Sequence, residues 1–322
     1  MNVFDALRRD AGGRRDVLLL ALVIALLPLA LSSDFHFRVL AVAWIFSLAV
    51  IGLNLLMGNA GVVSLGHGGF IGIGAYAVAI GPAHLGIPTG ASLIGGLALA
   101  GLLALFIGRP ILRLKGHYLA AATLGFGVLV SMVLANEVRW TGGPDGMSVK
   151  RLAIWGWQLR DSKTWYWVAG AVLVLGAWLV RNLERSPTGR ALRAIHGSEV
   201  ASSVVGVDVA RYKLVAFVLS AVFAAGAGAM LALLNGHVTP RVSEFLISLQ
   251  LVTMVVLGGM GSLLGAVVGA VVLLILPQFL TALQDYEHAF LGAVLILCMV
   301  FLRSGIVPSL QAVLRKAGPR NA

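Results

Sequence analysis

The feature that most constrains this chain is a series of apolar blocks that follow one another along most of its length. Each block has about 15 to 25 residues, and a helix of about 20 apolar residues crosses the core of a bilayer. Membrane-spanning strands would instead show alternating segments of about ten residues, which the sequence lacks. Only 11% of the 322 residues are charged, against about a quarter in soluble domains. The sequence therefore predicts an all-α integral membrane protein.

Ten apolar segments are candidates for transmembrane helices. They are residues 17–31, 39–57, 61–80, 91–108, 119–136, 165–181, 214–235, 246–258, 262–276 and 289–303. The third is rich in glycine and two later ones are short, so eight or nine full crossings with re-entrant segments are the alternative. We predict a polytopic bundle of about 10 helices, some of them short or broken and rich in glycine, in a single domain over residues 1–322.

The start of the chain allows two interpretations. Arg14 and Arg15 precede the apolar run 17–31, which ends near the small residues Ala30 and Ser32. This pattern resembles a cleavable signal peptide. Because further apolar segments follow closely, an uncleaved first helix is the favoured interpretation.

The distribution of basic residues predicts the orientation in the membrane. Ten crossings place the N-terminal tail, the 109–118 loop, the 181–213 loop and the C-terminal tail on one side, with 17 of the 24 Lys and Arg residues. Acidic residues divide almost evenly, so the asymmetry belongs to the cations, and the positive-inside rule places this side in the cytoplasm. Both termini are thus predicted to be cytoplasmic, and the 137–164 loop external. The net charge of +11 is explained by orientation and not by nucleic-acid binding.

Several function classes are disfavoured. No Asp, Glu, Lys or Arg lies near the middle of an apolar segment, which argues against a proton-coupled transporter. The sequence has no G-x-x-x-x-G-K-[ST], HExxH or G-x-S-x-G motif. Cys298 is the only cysteine, so neither an intrachain disulfide nor a cysteine metal site is possible. We therefore expect no catalytic residues, no metal site and no cofactor.

The 181–213 loop is predicted to form two short amphipathic helices. Ser186-Pro187 is a good helix start, because serine caps and proline at the first position loses no needed hydrogen bond. A second serine-capped helix is predicted over 199–205, ended by Gly206, and Asp208 can cap the next span. From the residues alone, a helical loop lying on anionic lipid headgroups is a sufficient explanation.

A family resemblance adds a second explanation. RSPTGRALRAIHGSEVASSVVGVDVARYKLVAFVLSA, residues 185–221, closely resembles the cytoplasmic loop of permeases in ABC importers of branched-chain amino acids. Three further blocks match the same family in order: GLNLLMGNAGVVSLGHGGFIGIGAYAV (52–78), TGGPDGM (141–147) and MVVLGGMGSLLGAVVGAVV (254–272). Together, the resemblance extends over most of residues 45–305.

The resemblance implies a role for the 181–213 loop, because in that family a loop helix docks into a groove of the ATPase subunit. Glu199-Val200-Ala201 resembles a degenerate form of the EAA motif, with valine at its second position. The ATPase-coupling residues implied in this way are Pro187, Gly189, Arg190, Arg193, Glu199, Gly206 and Asp208.

The resemblance also implies the assembly and the cargo. The chain is expected in a bacterial inner membrane with a second permease subunit, which is expected to be a paralogue, two ATP-binding cassette ATPase subunits and a periplasmic substrate-binding protein. The expected cargo is a branched-chain amino acid. The same machine with another cargo, such as urea, short amides or other amino acids, is one alternative. A self-contained channel or facilitator is the other.

Two glycine-rich blocks contain candidates for the translocation path. Their glycines either let helices pack closely, as Gly68-x-x-x-Gly72 predicts, or break helices so that backbone groups line a cavity. The candidate path residues are Asn54, Ser64, His67, Gly258 and Gly261. A lone buried histidine is more often hydrogen-bonded within the core than in contact with substrate.

The predicted external loop, 137–164, combines a turn-forming stretch at 141–146 with nearby tryptophans. These are Trp140, Trp155, Trp157, Trp165 and Trp167. We interpret them as an interfacial belt around a structural turn. A docking surface for an external binding protein is the alternative.

Overall fold

The computed structural model describes residues 3–30, 33–154, 157–158, 161–279, 292 and 305–309. The predicted segment 289–303 lies outside these residues apart from position 292. The helices that build the fold are α1 (Val3–Leu26), α2 (Asp34–Asn54), α3 (His67–His84), α4 (Thr89–Ile111), α5 (His117–Asn136), α6 (Val138–Thr141), α7 (Ser162–Arg185), α8 (Pro187–Gly197), α9 (Glu199–Val204), α10 (Val209–Asn235), α11 (Phe245–Gly258) and α12 (Leu263–Phe279).

Strands contribute little to the described part of the chain. Four strands of two residues form two antiparallel pairs: β1 (Met147–Ser148) with β4 (His237–Val238), and β2 (Ala153–Ile154) with β3 (Trp157–Gln158). The prediction of an all-α fold is confirmed.

Five helices in the described residues are long and apolar enough to cross a membrane: α2 with its extension to Asn59, α4, α5, α7 and α10. Two shorter apolar helices, α11 and α12, follow. The predicted multi-pass membrane protein is thus confirmed. The number of crossings and the side on which each terminus lies stay predictions.

Helix α2 is the centre of the bundle, and it packs against α7, α10, α11 and α12. In the most apolar 18-residue stretch of α2, 89% of the residues are buried, whereas only 22% are buried in the corresponding stretches of α4 and α5. Leu102, Phe106 and Met132 on these two helices are exposed apolar side chains. A bilayer solvates such side chains as well as a protein core does, so outward apolar faces are expected here.

Helices α3 and α10 cross so closely that glycine is required on both. A side chain at Gly74 would overlap the carbonyl of Ala225, and one at Gly228 would overlap the carbonyl of Ile71. Small residues at such a crossing let two backbones approach and gain dispersion contacts. The glycine-rich block of α3 is therefore a packing surface.

Replacing Gly74 by alanine should destabilise the fold, because the added methyl group meets backbone atoms that cannot rotate away. We expect a loss of about 1–3 kcal/mol, the usual cost of overpacking. The measurement is the thermal unfolding midpoint of the purified protein in detergent.

Gly95→Ala is the matched control on α4, since a methyl group there meets nothing within 4 Å. Equal unfolding midpoints for Gly74→Ala and Gly95→Ala would contradict the close crossing of α3 and α10.

The third predicted segment, 61–80, is wrong at both ends. Residues 61–66 are not helical, and the helix runs from His67 to His84. Helix α2 ends in a π-helical turn, Leu55–Asn59, after which Gly61 has a φ of +68° that redirects the chain. A broken helix is thus present here.

The predicted contact motif in α3 is confirmed. The backbone N–H of Gly68 donates to Ser248 Oγ over 2.8 Å. A methyl group at Gly72 would lie 2.6 Å from the Cβ of Ser243. Both glycines therefore serve close packing against residues 243–248.

The turn at 141–146 is structural. Gly142 and Gly146 have φ values of +77° and +72°, and β1, which follows them, pairs with β4 after α10. Among the predicted belt tryptophans whose side chains the structure describes, the prediction is wrong for Trp165, which is only 3% exposed because it packs inside the bundle, whereas Trp140 and Trp167 are 42% and 48% exposed. Trp155 and the side chain of Trp157 lie outside the described residues.

Candidate functional site

The 181–213 loop has the two helices that its capping residues predict. Ser186 Oγ accepts from the N–H of Gly189 at the start of α8, with Pro187 in the first helical position. Ser198 Oγ accepts from Ala201 N–H at the start of α9. Asp208 caps α10 by accepting from Arg211 N–H over 3.1 Å. Local hydrogen bonds therefore define the shape of the loop.

Helix α8 is fixed to the end of α7. A side chain at Gly189 would overlap the backbone of Glu184. Arg193 Nη1 donates to the carbonyl of Glu184 over 2.8 Å, and Arg190 Nη1 donates to that of Arg185 over 3.2 Å. Two of the predicted coupling residues, Arg190 and Arg193, therefore bind carbonyl groups at the C-terminus of α7, where cations are favoured.

Helix α9 is held by an ion pair and presents an apolar surface. Lys213 Nζ donates to Glu199 Oε1 over 2.5 Å, and Gly206, with a φ of +85°, turns the chain back towards α10. Val200, Val204 and Val205 are 72%, 81% and 77% exposed. We call these three residues the valine patch.

Sequence reasoning missed a buried polar network beneath α8. Glu184 is only 7% exposed; its Oε2 accepts from Arg181 Nη1 over 2.7 Å and its Oε1 from Asn59 Nδ2 over 3.1 Å. Arg181 also forms an ion pair with Asp16 of α1. The network therefore joins α1, α7 and the π-helical turn. The spacing of Arg181 and Glu184 at a helix end suits an ion pair, but no sequence pattern indicated Asn59 as a partner.

Two of the candidate path residues, Asn54 and Gly261, come together at a second break. Asn54 is buried; its Nδ2 donates to the carbonyl of Ser262 over 3.1 Å, and its Oδ1 accepts from Gly261 N–H over 2.9 Å. A side chain at Gly58 would overlap the backbone N–H of Gly261. The two glycine turns whose sequences are similar, 58–61 and 258–261, therefore contact each other.

Gly258 has a further role in the α11–α12 hairpin. A side chain there would overlap the carbonyl of Gly265, and a side chain at Gly269 would overlap that of Met254. The recurrent glycines after the turn thus allow two short helices to pack backbone to backbone.

Ser64 and His67 form a separate buried group. Ser64 Oγ and His67 Nδ1 are 3.0 Å apart, and His67 Nε2 lies 2.5 Å from Ser220 Oγ on α10. His67 is fully buried. Both ring nitrogens therefore have partners inside this chain, which is the arrangement expected of a core histidine.

Comparison with known proteins decides the family. A family model described as "Branched-chain amino acid transport system / permease component" matches residues 35–299, most of the chain. The chain belongs to this permease family. No solved structure matches it significantly.

Three relatives show the range of the family. The high-affinity branched-chain amino acid transport system permease protein LivM of Escherichia coli is 33% identical over 325 residues, which cover 91% of this chain and 76% of LivM. LivH, a permease protein of the same description from the same strain, is 26% identical over 81% of this chain and 91% of its own length. The autoinducer 2 import system permease protein LsrC of an Enterobacter strain is 30% identical over 78% of this chain and 73% of its own length.

Proposed function

We propose that this chain is the membrane permease of an ABC importer for branched-chain amino acids, powered by separate ATPase subunits. The observation that carries the proposal is the family match over residues 35–299, together with relatives that are named as branched-chain amino acid permeases. The chain has no nucleotide-binding motif of its own, which is consistent with energy supplied by partner subunits.

The assembly contains, besides this chain, a second permease, two ATP-binding cassette subunits and a periplasmic binding protein. Two permeases are supported by the similarity of this chain to both LivM and LivH from one strain. The whole chain forms one permease domain in a bacterial inner membrane, with both termini and the 181–213 loop in the cytoplasm, in accordance with the excess of Lys and Arg there.

The valine patch is the ATPase docking surface of this proposal. Three neighbouring valines at about three-quarters exposure on a loop outside the apolar spans are a surface that water solvates poorly. Glu199 and Arg193 are bound within the chain, so they hold α9 and α8 in position for docking. The shape of the loop depends on four further predicted residues, which start α8, pack against α7, end α9 and cap α10: Pro187, Gly189, Gly206 and Asp208.

A reconstituted assembly tests this function. The chain is purified with its co-expressed permease, ATPase and binding-protein partners and placed in liposomes. We expect uptake of radiolabelled leucine that requires both ATP and binding protein, and that unlabelled isoleucine and valine reduce. Flux through the chain alone, without ATPase subunits, would instead identify a channel.

A second candidate function is the same machine with a different cargo. It is favoured by the similarity to LsrC, whose name assigns it to an autoinducer 2 import system. ATP-driven uptake into the same liposomes that unlabelled leucine, isoleucine and valine all fail to reduce would support it.

A further inference from the structure

We infer that Glu184 is a positioning residue that transmits movement of the 181–213 loop to the broken helix at residues 55–61. The inference rests on the proposed function and concerns a residue of α7 outside the loop helices themselves. Its basis is that the backbone of Glu184 contacts the loop while its side chain contacts the broken helix.

The loop side of this connection consists of backbone contacts. Gly189 packs directly on the backbone of Glu184, and Arg193 Nη1 donates to its carbonyl over 2.8 Å. His196, at the other end of α8, lies against Gly61, where a Cβ would be 3.5 Å from its Nδ1. A shift of α8 must therefore displace either Glu184 or the chain just after the π-helical turn.

The membrane side consists of one side-chain hydrogen bond. Asn59, the last residue of the π-helical turn, is 5% exposed and donates to Glu184 Oε1 over 3.1 Å. Single π-helical turns within α-helices are rare and are found frequently at functional sites. Five residues earlier, at the end of α2, Asn54 binds Gly261 and Ser262. Movement of the turn is thereby passed to the start of α12.

A buried carboxylate suits this role because its two oxygens can face different elements. Glu184 Oε2 is bound to Arg181, which is bound in turn to Asp16, so the charge has a partner and the side chain has one orientation. Oε1 is then aimed at Asn59. Paired buried charges of this kind favour one defined arrangement over its alternatives, and removal of one partner is costly.

The test exchanges donor and acceptor between the two residues. Asn59→Asp alone removes the donor and places two carboxylates together. Glu184→Gln alone keeps an amide oxygen that can accept from Asn59 Nδ2, but it removes the negative charge opposite Arg181. The double variant restores one amide–carboxylate hydrogen bond. Each variant is measured in the complete reconstituted complex, as leucine taken up per ATP hydrolysed and as the stimulation of ATPase activity by loaded binding protein.

We expect Asn59→Asp to lower uptake per ATP about tenfold, a typical size for coupling between sites, while basal ATPase activity and the yield of complex are retained. Glu184→Gln should lower it less, because Asn59 keeps an acceptor. The double variant should recover most of the loss seen in Asn59→Asp. Glu137→Gln, an exposed carboxylate after α5, is the control and should be unchanged.

Wild-type uptake per ATP in Asn59→Asp would overturn the inference. So would a parallel fall in complex yield, ATPase activity and uptake, which indicates a purely structural residue. A wild-type complex without ATP-driven uptake would contradict the proposed function itself, so the two failures are distinguishable.

Discussion

Replacing Val200 and Val204 together by aspartate should prevent this chain from assembling with its ATPase partners. The two valines are 72% and 81% exposed, and docking would bury them, at about 1.5–3 kcal/mol for each side chain. The variant loses that energy and places two carboxylates in an apolar contact. We expect affinity to fall by more than about 100-fold, which corresponds to about 3 kcal/mol, and ATP-driven uptake to fall to background.

The measurement is co-purification of the ATPase subunits with tagged permease, followed by uptake in liposomes. Gly197→Asp, also an exposed position of the 181–213 loop, adds a similar charge where a Cβ meets nothing within 4 Å, and it should assemble normally. Membrane yield of the double variant should equal that of the wild type, because neither valine packs in the core. Full assembly of the double variant would remove the valine patch from the interface.

The sequence predicted the loop well because its structure is local. The bonds that shape α8 and α9 join residues within a few positions, such as Ser186 with Gly189 and Ser198 with Ala201, and capping preferences describe them directly. The likeness of the loop to a known family then indicated its role. The docking surface that we propose was not predicted from the sequence, because only the fold shows that Glu199 is paired and that the three valines are exposed.

The helix breaks were predicted only in outline. Glycine-rich stretches predicted irregularity in α2 and α3, but the prediction of an apolar span over 61–80 did not place the break at 61–66. A turn depends on φ at single residues, here Gly61 and Gly261. In an apolar sequence a glycine that ends a helix and a glycine that packs within one look alike, since both have neighbours of the same type.

Long-range polar contacts could not be predicted at all. Asn59 and Glu184 are 125 positions apart, and Asn54 and Ser262 are 208 apart. Each residue taken singly resembles an ordinary helix-end residue, and one sequence contains no information on which pairs meet. These contacts nevertheless connect the end of α7 with the π-helical turn, and the end of α2 with the turn before α12, so the coupling route that we propose is visible only in the fold.

Replacing Asn54 should also have a large effect on transport, because its side-chain amide bonds the end of α2 to the turn before α12. Asn54→Leu has nearly the same volume but leaves Gly261 N–H and the Ser262 carbonyl without their partner. Each lost hydrogen bond costs about 0.5–1.5 kcal/mol, and more where water cannot replace it. We expect a protein that still reaches the membrane with a lowered unfolding midpoint, and uptake per complex that falls at least about tenfold.

The expected loss of transport in Asn54→Leu depends on where the hydrogen bonds lie and not on how many are lost. Asn136 also donates through Nδ2 to a carbonyl, that of Met132, over 2.8 Å, but it is exposed and its bond lies within one helix. Asn136→Leu is therefore the matched control and should keep wild-type uptake and stability. If both leucine variants transported equally well, the contact between the two glycine turns would have no part in transport. If only Asn54→Leu fails while the yield of complex stays at the wild-type level, the contact between the two glycine turns is required for transport.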